Sequence, residues 1–348
     1  MRSLLKNAFM ILSALVVVLT LLAYLCPHVN PATFSWLTFF GTAFPWILLA
    51  NIAMIILWAW RRNRFALYHL GILILGWQYI TGFIGFDFGK DAVPEGAVVI
   101  ATHNIGGLFR GVRITDSLRE RVAIQYAAFI RDSGKPDILC TQETNSKFYH
   151  FLTRKMGYPY TFNLKKGTVI FSRYPIEGGG EVPFGKTANS SLWADIRIGK
   201  KTIRLYNVHL QSNKVAVATE KVIGGAELNE EETWHEIGSV LHQVGNATGI
   251  RAEQAQRLRE HLEASPHPVV VCGDFNDTPN SYVYAQISEG LSDTFRDKGL
   301  GLGTSFAGAL PLLRIDYILT EKKFTTFSCR TVRGTFSDHY PVFASIGI

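Results

Sequence analysis

The sequence predicts a mixed α/β domain preceded by about three transmembrane helices. Charge, hydropathy and strand rhythm each point that way. Residues 1–86 hold no Asp or Glu and carry as cations only Arg2, Lys6, Arg61, Arg62 and Arg64, so +5 of the formal +7 sits there. The same stretch contains three uncharged apolar runs, and from about Pro94 short strands alternate with occasional helices. The remaining +2 leaves the rest of the chain close to neutral. Composition therefore gives no support for a strong nucleic-acid footprint, which needs a basic track.

Taken in order, the apolar runs are Ala8 to Cys26, Phe34 to Trp60 with Pro45 inside it, and Phe65 to Phe86. Each meets or approaches the ~20 residues that cross a hydrocarbon core. None shows the polar face at a 3.6-residue period that a helix of a soluble protein keeps. The first run follows Arg2 and Lys6 as a signal peptide would, and Ala23-Tyr24-Leu25-Cys26 hints at a lipoprotein site. Leu25 is too large for the residue before such a cysteine, however, and further apolar runs follow. The reading is a transmembrane region over 1–86 (spans about 8–26, 34–60 and 65–86), a linker over 87–96 and a mixed α/β domain over 97–348.

Lys and Arg bias sets orientation. Arg2 and Lys6 put the N-terminus in the cytoplasm, Pro27 to Thr33 carries no cation, and Arg61-Arg62-Asn63-Arg64 marks a cytoplasmic turn. A third crossing delivers the domain to the extracytoplasmic side, the periplasm in a Gram-negative bacterium. Losing one span would reverse that placement.

In the second part, Ala97 to His103 reads as a strand, Leu118 to Asp132 as a helix closed by Ser133-Gly134, and Asp137 to Thr141 as a strand. Further strands are expected at Val169 to Ser172, Ser191 to Arg197, Thr202 to His209, Val269 to Cys272, Arg314 to Leu319 and Val342 to Ile346, with a helix at Arg251 to Leu262. Gly178-Gly179-Gly180 reads as a turn, and 213–250 as an irregular excursion. Trp234, His235 and His242 within that excursion are candidate contacts to a head group or base. Cys140 and Cys272 read as small core residues.

The chemistry-bearing side chains repeatedly fall at or just after the C-terminal ends of apolar strands. Asn104 follows the first. Glu143 ends Ile138-Leu139-Cys140-Thr141-Gln142-Glu143, and His209 ends Leu205-Tyr206-Asn207-Val208-His209. Asp274 and Asn276 follow Val269-Val270-Val271-Cys272-Gly273, Asp316 lies in Arg314-Ile315-Asp316-Tyr317, and Asp338-His339 precedes the final strand. A carboxylate beside a buried strand is costly unless paired or bound to a cation. Glu, Asp and Asn oxygens suit Mg²⁺ or Mn²⁺ rather than a zinc thiolate site, and two histidines suit proton transfer and charge stabilisation on a phosphate.

These segments, in this order, resemble the endonuclease/exonuclease/phosphatase superfamily, the deoxyribonuclease I-like group. The resemblance covers about Ala97 to Ile348. It implies a four-layer α/β sandwich, two packed sheets flanked by helices, that hydrolyses a phosphate ester with a divalent metal, Mg²⁺ or Mn²⁺. By position it implies Glu143, Asn104 and Asp338 as the metal site and Asp274 as the group that orients or deprotonates water. It implies Asn276 as a donor to a substrate phosphate oxygen or to that water, His209 as a contact to the substrate phosphate, His339 as the imidazole on the scissile phosphate, and Asp316 as its partner. Two points depart from the pattern. His103 stands where relatives often carry Trp or Phe, and reads as a structural neighbour. The acid that often accompanies the His209 type is not identified, with Glu177, Glu181 and Asp195 as candidates.

The expected partners are a phosphate-ester substrate (lipid head group, nucleotide or nucleic acid) and the lipid bilayer, with no protein partner. Two rival readings are a nuclease acting on extracytoplasmic DNA or RNA, and a non-catalytic binding module that keeps the fold. All eight positions hold chemically competent residues, which argues against the latter.

Overall fold

The computed structural model describes all residues except 1, 90–91, 110–114, 186, 188, 213–230 and 309, and not the side chains of 2–6, 231–237 and 240–241. Five helices come first: α1 (Arg2–Leu25), α2 (Thr38–Thr42), α3 (Phe44–Trp60), α4 (Phe65–Leu75) and α5 (Trp77–Phe83). Pro45 falls in the first turn of α3, where its missing N–H costs no helical hydrogen bond. α1 and α3 run antiparallel, since Tyr24 packs on Phe44 at one end and Phe9 on Trp58 at the other.

This arrangement corrects the span count. Among the described residues one helix, Asn7–His28, is long and apolar enough to cross a membrane, and a second counts only if the pair Ser35–Thr42 and Phe44–Trp60, bent by 56°, is taken as one. The third run does not form a continuous span. It breaks at Gly76, where a Cβ would lie 1.9 Å from the Tyr24 ring, and its last residues form a strand instead. That ring fills the space beside the break and donates its hydroxyl to the Ile72 carbonyl at 3.0 Å.

The helices pack around a buried polar chain. Ser13 Oγ meets His69 Nε2 at 2.7 Å, His69 Nδ1 meets Asn51 Oδ1 at 2.8 Å, and Asn51 Nδ2 donates to Thr20 Oγ1 at 2.8 Å. Their outer face exposes Ile11, Leu15, Ile56, Trp60, Leu67, Ile74 and Leu75. Buried apolar residues such as Phe44, Leu48 and Trp58 surround that polar chain, so the bundle is apolar outside as well as within.

The strand after α5 is β1 (Ile84–Phe86). There follow β2 (Val98–Asn104), α6 (Asp116–Gly134), β3 (Ile138–Gln142), α7 (Ser146–Met156), β4 (Tyr160–Asn163), β5 (Val169–Ser172), β6 (Ile176–Val182), β7 (Ser190–Ile198) and β8 (Lys201–His209). Then come α8 (Glu231–Glu263), β9 (Val269–Asp274), α9 (Tyr282–Ser288), β10 (Leu291–Asp293), α10 (Thr294–Lys298) and β11 (Leu300–Leu302). The chain closes with β12 (Asp316–Glu321), β13 (Thr325–Thr331) and β14 (Val342–Gly347).

Two six-stranded sheets form, β13-β14-β2-β3-β5-β4 and β10-β12-β9-β8-β7-β6. Between them lie Ile100, Ile138, Cys140, Leu205, Val270 and Cys272, all shut off from solvent. α6 and α7 cover the first sheet and α8 and α9 the second, which gives the expected layering. The parallel pairs β2–β3 and β8–β9 arise where α6 and α8 cross over. They bring several strand C-termini to the same end of the sandwich.

Two local expectations are corrected. Gly178-Gly179-Gly180 is not a turn but the middle of β6, where a Cβ on Gly179 or Gly180 would meet the Phe162 ring (2.7 Å) or the Trp193 ring (2.9 Å). Glycine here makes room for aromatic cover. The excursion 213–250 is helical from Glu231 onward. Residues 213–230, and the side chains of Trp234 and His235, lie outside the described residues; His242 is exposed beside Asn246.

Candidate active site

Strand register gathers the predicted residues. In one sheet Asn104 is opposite Gln142, so Glu143 leaves β3 beside it. In the other, His209 is opposite Asp274 and Asp274 opposite Asp316, three residues abreast on β8, β9 and β12. His339 reaches them from the turn before β14.

Hydrogen bonds join the two sheets. Asn104 Nδ2 donates to Asp274 Oδ2 at 2.9 Å and to Glu143 Oε1 at 3.1 Å, while its Oδ1 accepts from Gly106 N at 3.0 Å. Asn276 donates its backbone N–H to Asp274 Oδ1 at 2.8 Å and its Nδ2 to Oδ2 at 3.1 Å. His339 Nδ1 is 2.9 Å from Asp316 Oδ2, and its Nε2 stands 3.9 Å from Asp274 Oδ2. His209 Nε2 lies 3.5 Å from Glu143 Oε1, an ion-pair separation without hydrogen-bond geometry. A Cβ on Gly106 would lie 2.0 Å from Glu143 Oε2, and one on Gly107 would lie 2.9 Å from Asp338 Oδ1. Glu143 and Asp338 thus line one turn that only glycine leaves open. All eight residues meet at this end of the sandwich.

The backbone is strained at two of them. Glu143 and Asn276 both have φ of 53°, in the left-handed region. That costs a non-glycine residue of order 1 kcal/mol or more and is typical of sites that aim a side chain. Gly273 at φ 138° lets β9 approach Val208, whose carbonyl oxygen would be 2.0 Å from a Cβ there.

Electrostatics follow from burial. Desolvation, reinforced by Asp316 and opposed by His339, His209 and Asn104, raises the Asp274 carboxyl to about 6. Burial disfavours the His339 cation, but Asp316 and Asp274 outweigh it and raise the imidazole to about 10. His339 therefore stands as a cation between two carboxylates at neutral pH. His103 is the opposite case, pushed down to about 3 by burial. It bridges the Tyr126 hydroxyl (3.0 Å) and the His339 carbonyl (3.1 Å), the structural neighbour expected of it.

Asp274, Asp316 and His339 each offer an atom within 4.8 Å of the others, and Asp316 Oδ1 is buried without a hydrogen-bond partner, but a protonated His339 has no lone pair for a metal, so this group is not the better cation site. Glu143, Asp338 and the Asn104 amide offer hard oxygens around the Gly106–Gly107 turn, a chemistry that fits Mg²⁺ or Mn²⁺. The acids considered for His209 are engaged elsewhere: Asp195 with Arg204, Glu181 with Lys166 and Glu177 with Arg197.

Sequence reasoning missed several supports. Ser305 Oγ accepts from the backbone N–H of Ile315 (2.9 Å) and Asp316 (3.0 Å), and the Phe306 ring packs edge-on against His339 at 5.2 Å. Buried Arg251 donates to Asp277 Oδ2 (3.2 Å) and the Gln211 carbonyl (3.0 Å), tying the two loops that follow His209 and Asn276. Asn207 donates to the Thr141 and Val169 carbonyls beneath Glu143. Ser305 and Phe306 sit in a loop with no pattern to betray them; the arginine in an otherwise ordinary helix was the one available signal.

Comparison with known proteins speaks to the family and the fold. Residues 6–83 match a domain described as of unknown function. Over 207 residues the chain is 28% identical to nocturnin of Rattus norvegicus, covering 57% of this chain and 42% of nocturnin. The chain thus spans about two fifths of that relative's length. Among solved structures, an endonuclease/exonuclease/phosphatase from Bacteroides vulgatus superposes with a TM-score of 0.53 at 18% identity, covering 72% of this chain and 99% of that one. A humanized TDP2 of D. rerio superposes at 0.52 with 15% identity, covering 73% and 100%. At these identities the superpositions speak for the fold. The family profile itself matches residues 101–339, so the chain belongs to the endonuclease/exonuclease/phosphatase family, a family of hydrolases acting on phosphate ester bonds.

Proposed function

We propose that the chain is a membrane-anchored, Mg²⁺- or Mn²⁺-dependent phosphoesterase, with residues 97–348 as its catalytic domain. The observation that carries this reading is the buried Asp316–His339–Asp274 array beside the Glu143, Asn104 and Asp338 oxygens. Glu143 and Asp338, with the Asn104 amide, would hold the metal, which when bound withdraws charge from the phosphate oxygens. Asp274, its carboxyl at about 6, accepts the proton of the attacking water. Asn276 and Asn104, which donate to that carboxylate, fix its direction. The 3.9 Å gap between His339 Nε2 and Asp274 Oδ2 leaves the imidazolium free to donate to a phosphate oxygen, while Asp316 holds the ring. His209 and Asn276 flank the same phosphate. In-line attack then needs little beyond positioning and charge.

Anchoring is supported by the apolar outer face of the helical bundle. The Arg61 guanidinium sits over the Phe9 ring at 4.6 Å, at the end of the bundle away from the catalytic domain. A basic end opposite the domain favours an extracytoplasmic active site with a cytoplasmic N-terminus. The test is turnover by the full chain in detergent of bis-nitrophenyl phosphate and nitrophenyl phosphate with Mg²⁺ or Mn²⁺. Absence of turnover under both metals refutes the reading.

A further inference from the structure

The helical bundle meets the domain at the end that carries the active site. Thr278, two residues beyond Asn276, donates to the Gly41 carbonyl at 3.3 Å. A Cβ on Gly82 would lie 2.7 Å from Pro279. On the opposite wall, Gly303 N donates to the Phe83 carbonyl at 3.0 Å. Ser305, which accepts from the Asp316 N–H, follows two residues later. At ~3.8 Å between successive Cα atoms, both contacts lie within about 8 Å along the chain of Asn276 or Ser305.

Beside these contacts β1 and β11 form a two-stranded ribbon, with Phe86 opposite Leu300 and Ile84 opposite Leu302. Leu300 and Leu302 are 58% and 53% exposed, although they belong to the otherwise ordinary soluble part. Phe88 is 79% exposed, and half-exposed Trp77 stacks on Phe86 at 4.9 Å. Ile74 and Leu75, exposed on the bundle, precede Trp77 by three and two residues in the chain. Arg296 is exposed on the neighbouring α10, where it donates to Thr81 Oγ1. Aromatic side chains with a cation beside them are the composition of a bilayer interface, and a contiguous exposed apolar patch marks a contact surface.

We propose that this ribbon seats the active-site end of the domain on the bilayer, and that the substrate is a phosphate ester carried in that bilayer, a lipid head group. This rests on the phosphoesterase reading. Nucleic acid fits less well, because the chain outside the bundle is close to neutral overall, whereas affinity for a polyanion rises with cationic contacts.

The experiment uses the full chain in phosphatidylcholine vesicles containing phosphatidylglycerol, phosphatidylinositol phosphate or phosphatidic acid, with bis-nitrophenyl phosphate and DNA as soluble substrates. The paired variant Leu300→Gln with Leu302→Gln removes the ribbon's apolar contact and touches no residue of the site. Turnover of at least one vesicle lipid is expected in the wild type. The paired variant is expected to lose about tenfold or more of that rate, as two apolar side chains leave the interface, while keeping its rate on bis-nitrophenyl phosphate. Turnover of bis-nitrophenyl phosphate or DNA with every lipid untouched overturns the inference alone. Equal lipid rates in wild type and variant also overturn it. Inertness toward every substrate overturns the phosphoesterase reading beneath it.

Discussion

Asn104 and Asp274 are joined across the two sheets by a 2.9 Å hydrogen bond, and the same nitrogen reaches Glu143 at 3.1 Å. One amide thus keeps two carboxylates on opposite sheets at a fixed spacing. Asn104→Ala would leave both without that donor. We expect turnover of bis-nitrophenyl phosphate to fall by about two decades, the size of one lost electrostatic contact. Far-ultraviolet circular dichroism should be unchanged. A rate within about threefold of wild type would show that the bridge does not set the geometry of the centre.

Asp316 fixes His339 through Nδ1, so its effect on turnover should pass through the ring. His339→Ala and Asp274→Asn are each expected to cost about two decades or more in kcat. Asp316→Asn should also slow turnover, because it removes the first of the charges that keep the His339 ring protonated and the acceptor that holds it through Nδ1. Asp316→Asn and His339→Ala combined should be little worse than His339→Ala alone. Multiplicative losses in the double variant would show that the two residues act independently.

Chelation should abolish turnover, and Mg²⁺ or Mn²⁺ should restore it. Binding to the folded state also stabilises it, by about 2.7 kcal/mol at a hundredfold excess over Kd. Melting of the full chain in detergent should therefore rise with added Mg²⁺. Glu143→Gln should blunt that rise and lower turnover by about two decades. An unchanged response to Mg²⁺ in Glu143→Gln would remove Glu143 from the metal site.

Much of this centre was legible because strands carry their chemistry at fixed places. Apolar runs ending in Glu143, His209 and Asp274 define strand ends, and strand ends of parallel neighbours share an edge. What was not legible came from contacts between distant segments. The register that sets Asp316 opposite Asp274 depends on pairing β9 with β12. Gly178-Gly179-Gly180 carries the local signature of a turn, and the rings of Phe162 and Trp193 override it. The run from Phe65 to Phe86 has the hydropathy of a span, yet its last three residues pair with β11. Hydropathy reports what a segment tolerates, and the partner strand 200 or so residues later decides what it does.

Asp293 and Arg314 form a buried pair, with Tyr284 donating to the same carboxylate at 2.6 Å. Burial works against the Asp293 charge, but Arg314 and Tyr284 prevail and hold the carboxyl below its ordinary value. A depressed carboxyl contributes stability at pH above the unfolded value of about 3.9, and that contribution is lost as pH falls through the folded value. Asp293→Asn should cost about 3–5 kcal/mol at neutral pH, since it strands the buried guanidinium. The gap between wild type and variant should narrow in melting curves recorded at progressively lower pH below about 4. A gap constant with pH would show that the pair is not the titrating element.

Gly41 offers the sharpest test of whether the bundle is part of the catalytic unit or only its tether. Its carbonyl accepts from Thr278, and a Cβ at this position would fall 2.2 Å from the Asn280 carbonyl oxygen. The atom in the way is backbone, not the end of a flexible side chain, so Gly41→Val must push the bundle away from the loop that follows Asp274 and carries Asn276. That loop is also held from behind by Arg251 on Asp277, so it should shift rather than unfold. We expect kcat on soluble bis-nitrophenyl phosphate to fall by about tenfold, in line with a displacement of an ångström or less at the reacting groups. KM should move less, because no phosphate contact is removed. The same substrate assayed with Gly71→Val supplies the control, since a Cβ there meets nothing within 4 Å. A kcat in Gly41→Val equal to that of the control would show that the bundle holds the domain in place without shaping its active site.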